Sequence, residues 1–319
     1  MSDTTTSPNL NSEAPEATGT RVLLTGATGF LGGRVLRDLA GNHQVFATHH
    51  GALEETASYI TPVRWEASKG APEVLLALFE PDVVVHLMAL TRTEACAKNP
   101  EKARLLNTEV TARLGQAACY RGVRMVFAST DLVFDGAKGN YTEKDEPRPT
   151  STYAQTKREA EQALQQIFRD RPELLTIFRV GLSYGWGDSA HTGPIGWLFH
   201  NAESGQPTDL FTDEFRTPLF QGDASRAILE AIEHQHAGLF HLGGPDRVDR
   251  YTLGMRIAER FGLDTRLVRK KSIRDYQGPE PRAADCSMVS AKFIETFGWA
   301  PVGIEEGLER MREERKGLT

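Results

Sequence analysis

Long apolar runs are missing from this sequence. None approaches the ~20 residues that a membrane-crossing helix needs, so a helical span is excluded. Cysteine is scarce. Cys96, Cys119 and Cys286 are odd in number and far apart, which leaves no disulfide framework and no zinc spacing and suggests a reducing compartment. Basic blocks are absent and the net charge is -6, so nothing favours a nucleic-acid partner. Residues 1–19 lack any apolar core segment and are rich in Ser, Thr, Glu, Pro and Asn. They read as a disordered tail, without the charged start and apolar stretch of a secretory signal. A cytoplasmic protein is the simplest expectation. No internal repeat is evident. Near the end, Glu305, Glu306, Glu309, Glu313 and Glu314 alternate with Arg310, Arg312 and Arg315, the pattern of a solvated helix face rather than a metal site.

What is present is a glycine turn in the right place. The apolar run Arg21–Leu24 reads as a first strand. Then come Thr25-Gly26-Ala27-Thr28-Gly29-Phe30-Leu31-Gly32-Gly33, and Phe30, Leu31, Val35, Leu36 and Leu39 have helical spacing. Gly26, Gly29 and Gly32 therefore lie on a strand-to-helix turn. There a missing Cβ permits a tight turn, approach of a diphosphate, and close helix–sheet packing. The helix N-terminus offers free N–H groups and a positive dipole end. Gly26, Thr28, Gly29, Phe30, Leu31 and Gly32 are thus expected to bind a dinucleotide.

Further strands are expected at 44–48, 63–67, 82–89, 125–129, 174–180 and 239–242, with helices at 72–79, from Asn99-Pro100, and from Tyr153. The order is that of a doubly wound parallel α/β sheet, a Rossmann-type NAD(P)-binding fold. His49 follows the second strand, where an acidic residue would favour NAD. Its absence tilts the expectation to NADP(H), unless His49 is a solvated loop residue and Arg34 or Arg37 meets the phosphate. Leu87, Met88 and Ala89 end a strand at the carboxyl edge, where ligands of such sheets bind; Thr91, just beyond, is assigned to substrate. Val180 ends the sixth strand beside the cofactor. His86 reads as a packed strand residue.

The chemical candidates are Thr130, Tyr153 and Lys157. The last two are four residues apart on one helix and share a face. A lysine ammonium near a phenol stabilises phenolate and lowers the tyrosine pKa. The tyrosine can then exchange a proton with a carbonyl oxygen while hydride reaches its carbon, and a Thr130 hydroxyl can hold that oxygen.

Glycine turn, strand-end threonine and helical Tyr-x-x-x-Lys, in that order, resemble the extended short-chain dehydrogenase/reductase family over residues 21–310. The stretches Ser129–Gly136, Gly139–Glu143, Pro147-Arg148-Pro149, Phe215-Arg216-Thr217-Pro218 and Pro281-Arg282 through Asp285-Cys286-Ser287 look like the dTDP-4-dehydrorhamnose reductase branch. The resemblance implies a reductase of a nucleotide-linked 4-keto-6-deoxysugar, with Thr130, Tyr153 and Lys157 as catalytic residues. It places Glu66 and Ala67 at the adenine, Asn107 in the catalytic surroundings, and the loop Gly181–Gly187 beside the nicotinamide. Sugar-nucleotide dehydratases of the superfamily carry Thr-Asp-Glu here. This chain has Leu132 for the glutamate, and Leu132 transfers no proton. Asp131 either touches substrate or caps its turn. Arg216 either grips a substrate phosphate or forms a surface salt bridge.

The expected division is a dinucleotide-binding domain at 20–180, to which 215–242 returns, and a smaller substrate domain at 181–214 and 243–319. The expected partner is a small molecule, a nucleotide sugar; a homodimer is compatible with the sequence. An epimerase, another carbonyl reductase, or a cofactor-binding regulatory subunit like that of methionine adenosyltransferase are the alternatives.

Overall fold

A computed structural model describes residues 19–39, 41, 43–50, 57–187 and 193–316. Of the tail expected at 1–19, all but Gly19 lies outside the described residues.

The chain begins with β1 (Arg21–Thr25), α1 (Phe30–Leu39), β2 (Gln44–His49), β3 (Ile60–Arg64), α2 (Pro72–Phe79) and β4 (Val83–His86). Two short helices follow, α3 (Thr93–Lys98) and α4 (Pro100–Arg104). A π-helical turn, Leu105–Glu109, runs into α5 (Val110–Arg121). Then come β5 (Arg124–Thr130), α6 (Thr152–Ile167) and β6 (Leu175–Val180). With β11 (Gly238–Leu242) these strands form a seven-stranded sheet in the order β11-β6-β5-β4-β1-β2-β3. Every neighbouring pair is parallel.

Period-two alternation explains why helices cover both faces. Val22 and Leu24 of β1 point into one core, with Val35 and Leu39 of α1. Leu23, between them, points into the other core, with Leu114 of α5 and Leu164 of α6. All seven are buried, and full burial of such a side chain stabilises by about 1.5–3 kcal/mol.

The third strand begins and ends earlier than the sequence suggests. Pro62 lies inside it, which an edge strand tolerates. Beyond Arg64 the Glu66 carbonyl accepts from Lys69 and Gly70, so a turn ends the ladder before Ala67. Helix α3 was not anticipated.

Between β6 and β11 the chain leaves the sheet. It forms β7 (Ser183–Tyr184), α7 (Gly196–Glu203), β8 (Thr208–Phe211), β9 (Phe215–Arg216) and β10 (Leu219–Phe220), and returns through α8 (Gln221–Glu233). After β11 come β12 (Val248–Asp249), α9 (Arg250–Phe261), β13 (Val268–Lys271), α10 (Ala291–Phe297) and α11 (Ile304–Lys316). The pairs β10–β7, β12–β9 and β13–β8 knit the two excursions together. A separate core holds Tyr184, Trp186, Phe199, Leu253, Ile257 and Leu308.

Two boundaries differ from expectation. Residues 215–220 pair within this smaller body, so the return to the sheet starts at Gln221. Helix α10 packs on the main sheet, because Phe293 and Phe297 meet Phe178 of β6, and Phe297 also meets Phe240 of β11.

Candidate active site

A cavity of about 1040 Å³ runs along the carboxyl ends of β2, β1, β4, β5 and β6 and under the smaller body. Sheet order reverses between β1 and β4, the crevice in which open α/β sheets bind ligands.

The glycine turn forms one end. Gly26 has φ +76°, and a Cβ there would lie 2.7 Å from the Met88 backbone nitrogen. A Cβ on Gly32 would lie 1.9 Å from the Gly26 carbonyl oxygen. Larger residues would push α1 off the sheet and close the cradle. Thr28, Gly29, Phe30 and Leu31 line the cavity there, with His49, Glu66 and Ala67 along its side. The first turn of α1 lines this part of the cavity, and the free N–H groups and dipole of a helix N-terminus suit a diphosphate. This cradle fits a dinucleotide. Glu66 is exposed and pairs with Lys69 at 2.9 Å. Arg34 is committed elsewhere, to Asp38 and Glu314 at 2.7 Å each.

Leu87, Met88, Ala89 and Thr91 line the floor, and Val180 the far wall. His86 sits behind them. Its ring nitrogens bond the Thr25 and Thr111 hydroxyls at 2.7 and 2.8 Å, and burial, aided by the Lys157 charge, pulls its pKa down to about 3.

Asn107 is the one nominated residue that does not line the cavity. It is buried in the π turn. Its carbonyl accepts the Leu90 N–H at 2.7 Å, and its amide donates to the Leu90 carbonyl and the Thr156 hydroxyl, each at 3.0 Å. It ties the segment after β4 to α6. Single π turns of this kind recur at functional sites.

Thr130, Tyr153 and Lys157 converge on the middle of the cavity. Thr130 ends β5. Ser151 caps α6 by accepting the Ala154 N–H at 3.3 Å, which sets Tyr153 at the start of the helix with Lys157 one turn on. The electrostatics overturn one expectation. Tyr153 is not made more acidic by Lys157. Burial and the nearby Asp131 charge push its pKa well above the ordinary tyrosine value, against a hydrogen bond with Thr130. Lys157 instead lies over the Phe127 ring, 4.0 Å from its centre. Burial pulls it down to about 7, partly offset by Glu161. The phenol is therefore held protonated, and the amine titrates near neutrality.

Asp131 is buried behind this pair. The Thr130 hydroxyl donates to its Oδ1 at 3.1 Å, and burial raises its pKa despite the Arg216 guanidinium 3.6 Å away. Arg216 lines the cavity but is no surface residue and no free anion grip. It donates to Glu214 at 2.9 Å and to the Ala283 carbonyl at 3.2 Å. Arg282 holds the same Glu214 carboxylate through two bonds, at 2.7 and 2.9 Å. Arg250 completes the wall. Glu214, Arg250 and Glu280 escaped the sequence reading; Glu214 and Glu280 adjoin the Phe215–Pro218 and Pro281-Arg282 stretches, and Arg250 had no such signal. Glu280 reaches from the smaller body to accept the Thr152 N–H at 2.8 Å, and Tyr276 donates to Glu94 of α3 at 3.2 Å. The segment carrying both is thereby fastened over the site.

Comparison with known proteins agrees with this geometry. The RmlD substrate binding domain family matches residues 20–316. The chain belongs to that family. Among its relatives, a probable low-salt glycan biosynthesis reductase, Agl14 of Haloferax volcanii, is 30% identical over 81% of this chain and 86% of its own length. Methionine adenosyltransferase 2 subunit beta of Xenopus tropicalis is 27% identical over 91% of this chain and 87% of its own. The solved dTDP-4-dehydrorhamnose reductase of Bacillus anthracis, in complex with NADP, superposes with a TM-score of 0.80 over 93% of this chain and 100% of that one; at 19% identity it shows the shared fold. As an RmlD-family member the chain is an NAD(P)-dependent oxidoreductase of the short-chain type. No helix among the described residues is long and apolar enough to cross a membrane.

Proposed function

We propose that this protein uses NADPH to reduce the 4-keto group of a nucleotide-linked 6-deoxysugar, with Tyr153 as proton donor. The observation that carries the reading is the convergence of Thr130, Tyr153 and Lys157 on a cavity that continues from the glycine cradle into the smaller body. A reductase needs a neutral acid at the carbonyl oxygen, and a phenol is neutral at physiological pH. Reduced nicotinamide, when bound, supplies the hydride. Thr130 orients the carbonyl oxygen, and Tyr153 Oη releases its proton to that oxygen as negative charge develops there. Lys157 Nζ, titrating near 7, is suited to return the proton and to hold the nicotinamide ribose. Leu132 supplies no second acid, which argues against dehydration.

In this reading the glycine turn, the floor Leu87–Ala89 and Val180 hold the cofactor. Thr91, Thr130, Asp131 and Tyr153 meet the sugar. The sheet with its helices is the dinucleotide-binding part, and the body around Tyr184 and Leu253 is the substrate part. His49 in place of an acid supports NADP(H) over NAD(H). The relative named a glycan biosynthesis reductase supports a sugar substrate.

The test is loss of NADPH absorbance with a dTDP-4-keto-6-deoxysugar, against NADH and sugar-free controls. Loss that requires the sugar and is faster with NADPH is expected. No loss by a protein that binds NADPH would overturn the sugar assignment and leave another carbonyl compound, or cofactor binding without turnover.

A further inference from the structure

The wall of the substrate half carries three arginines, Arg216, Arg250 and Arg282, and two acids, Asp131 and Glu214. Glu214 is taken by Arg216 and Arg282, and Asp131 faces Arg216. Both acids are therefore used on two of the arginines. Arg250 is left over. Its backbone N–H is fixed to the Glu214 carbonyl at 3.1 Å, which sets the side chain at the first position of α9. Its guanidinium has no hydrogen-bond or ion-pair partner among the described residues, although burial lowers its pKa. Of the other acids on this side, Glu94 accepts from Tyr276, and Glu280 accepts from Thr152 through Oε1 while its Oε2 has no hydrogen-bond partner among the described residues.

A part-buried guanidinium with carboxylates nearby but none in direct contact has donors left for a ligand. Five N–H donors in a planar fork suit a phosphate oxygen pair. We propose that Arg250 grips the diphosphate of the substrate, and that Arg216 and Arg282 are framework arginines that hold the wall. The idea rests on the nucleotide-sugar reading above and names the residue that reads its anionic part. Arg250 feels the charge of Glu214 first and that of Asp131 more weakly, with Arg216 and Arg282 opposing both, and Asp131 adjoins Thr130. The anion would thus sit close to the reacting carbonyl, on the side of the smaller body.

The experiment is calorimetric titration of the whole protein with dTDP and, separately, with NADPH, for the wild type, Arg250→Met and Arg250→Lys. The expected result is dTDP affinity about 10- to 100-fold weaker in Arg250→Met, from loss of a charged hydrogen-bond pair. Arg250→Lys should recover part of it, and NADPH affinity should stay unchanged in both, which also reports intact folding. Equal dTDP affinity in wild type and Arg250→Met would overturn the proposal. So would a wild type that binds NADPH but not dTDP. Sugar-dependent NADPH oxidation, measured on the same samples, separates the two ideas. If it persists with unchanged KM in Arg250→Met, only the role of Arg250 falls; if the wild type shows none, the nucleotide-sugar reading falls as well.

Discussion

One end of the cavity is made of backbone, the other of side chains drawn from distant parts of the chain. At the glycine end, positions 26 to 32 supply the cradle, and each glycine answers a local steric demand. At the arginine end, Glu214, Arg216, Arg250 and Arg282 meet across two excursions from the sheet. The first kind of site is written in consecutive residues. The second depends on which acid neutralises which base, and that is settled only when β9 pairs with β12. The two ends should therefore fail differently when altered. Changes at the first should act on cofactor affinity, and changes at the second on substrate affinity and on stability.

Tyr153, between the two ends, is expected to give the largest effect. Tyr153→Phe should lower kcat by about 10²- to 10⁴-fold while NADPH affinity, read by fluorescence, stays near wild type. Equal loss of NADPH binding would mean that Tyr153 belongs to the cofactor end instead.

Glu214→Gln comes next. It leaves Arg216 and Arg282 buried without their shared carboxylate, and breaking such a cluster costs about 3–5 kcal/mol. The checking measurement is urea unfolding of the cofactor-free protein. A midpoint unchanged from wild type would show that the arginine end is no framework.

Lys157→Met should separate stability from activity. A lysine held down at about 7 binds fewer protons folded than unfolded between about pH 7 and its ordinary 10.5. Its burial cost is therefore fully present below pH 7 and fades as pH rises toward 10.5. The variant should unfold at higher temperature than wild type at pH 6, by several degrees. That gain should shrink on going to pH 10, while turnover is lost at both. A gain that grows with pH would contradict the buried, depressed amine.

The smallest effect is expected at the cofactor end. His49→Asp should shift the NADPH-to-NADH preference in kcat/KM by roughly tenfold, about 1.4 kcal/mol, leaving the sugar KM alone. No shift would place recognition of the 2′-phosphate on other residues.

Legibility followed the same divide. The parallel sheet could be read because its strands are apolar runs, such as Val83–Val85, between helical patterns. The strand-end threonine and the helical tyrosine–lysine pair could be placed because strand ends and one-turn spacings are local properties. The third strand was misplaced by three residues, since an edge strand tolerates Pro62 and Trp65 looks as strand-like as Val63. Asn107 was identified as belonging to the site, but its partner Leu90 is non-local, so its role as a brace was hidden. The direction of the Tyr153 shift was misjudged because spacing does not report burial: Lys157 settles over Phe127, and burial with the Asp131 charge raises the phenol. Arg250 gave no signal at all, since being unpaired is a property of its surroundings.

The most direct test of the central claim is to supply NADPH deuterated at the transferable position, together with a dTDP-4-keto-6-deoxysugar, and to weigh the product. The account predicts a sugar alcohol carrying one deuterium in wild type and almost none formed by Tyr153→Phe. A product of unchanged mass, as an epimerase would give, or no product from a protein that binds both ligands, would contradict it.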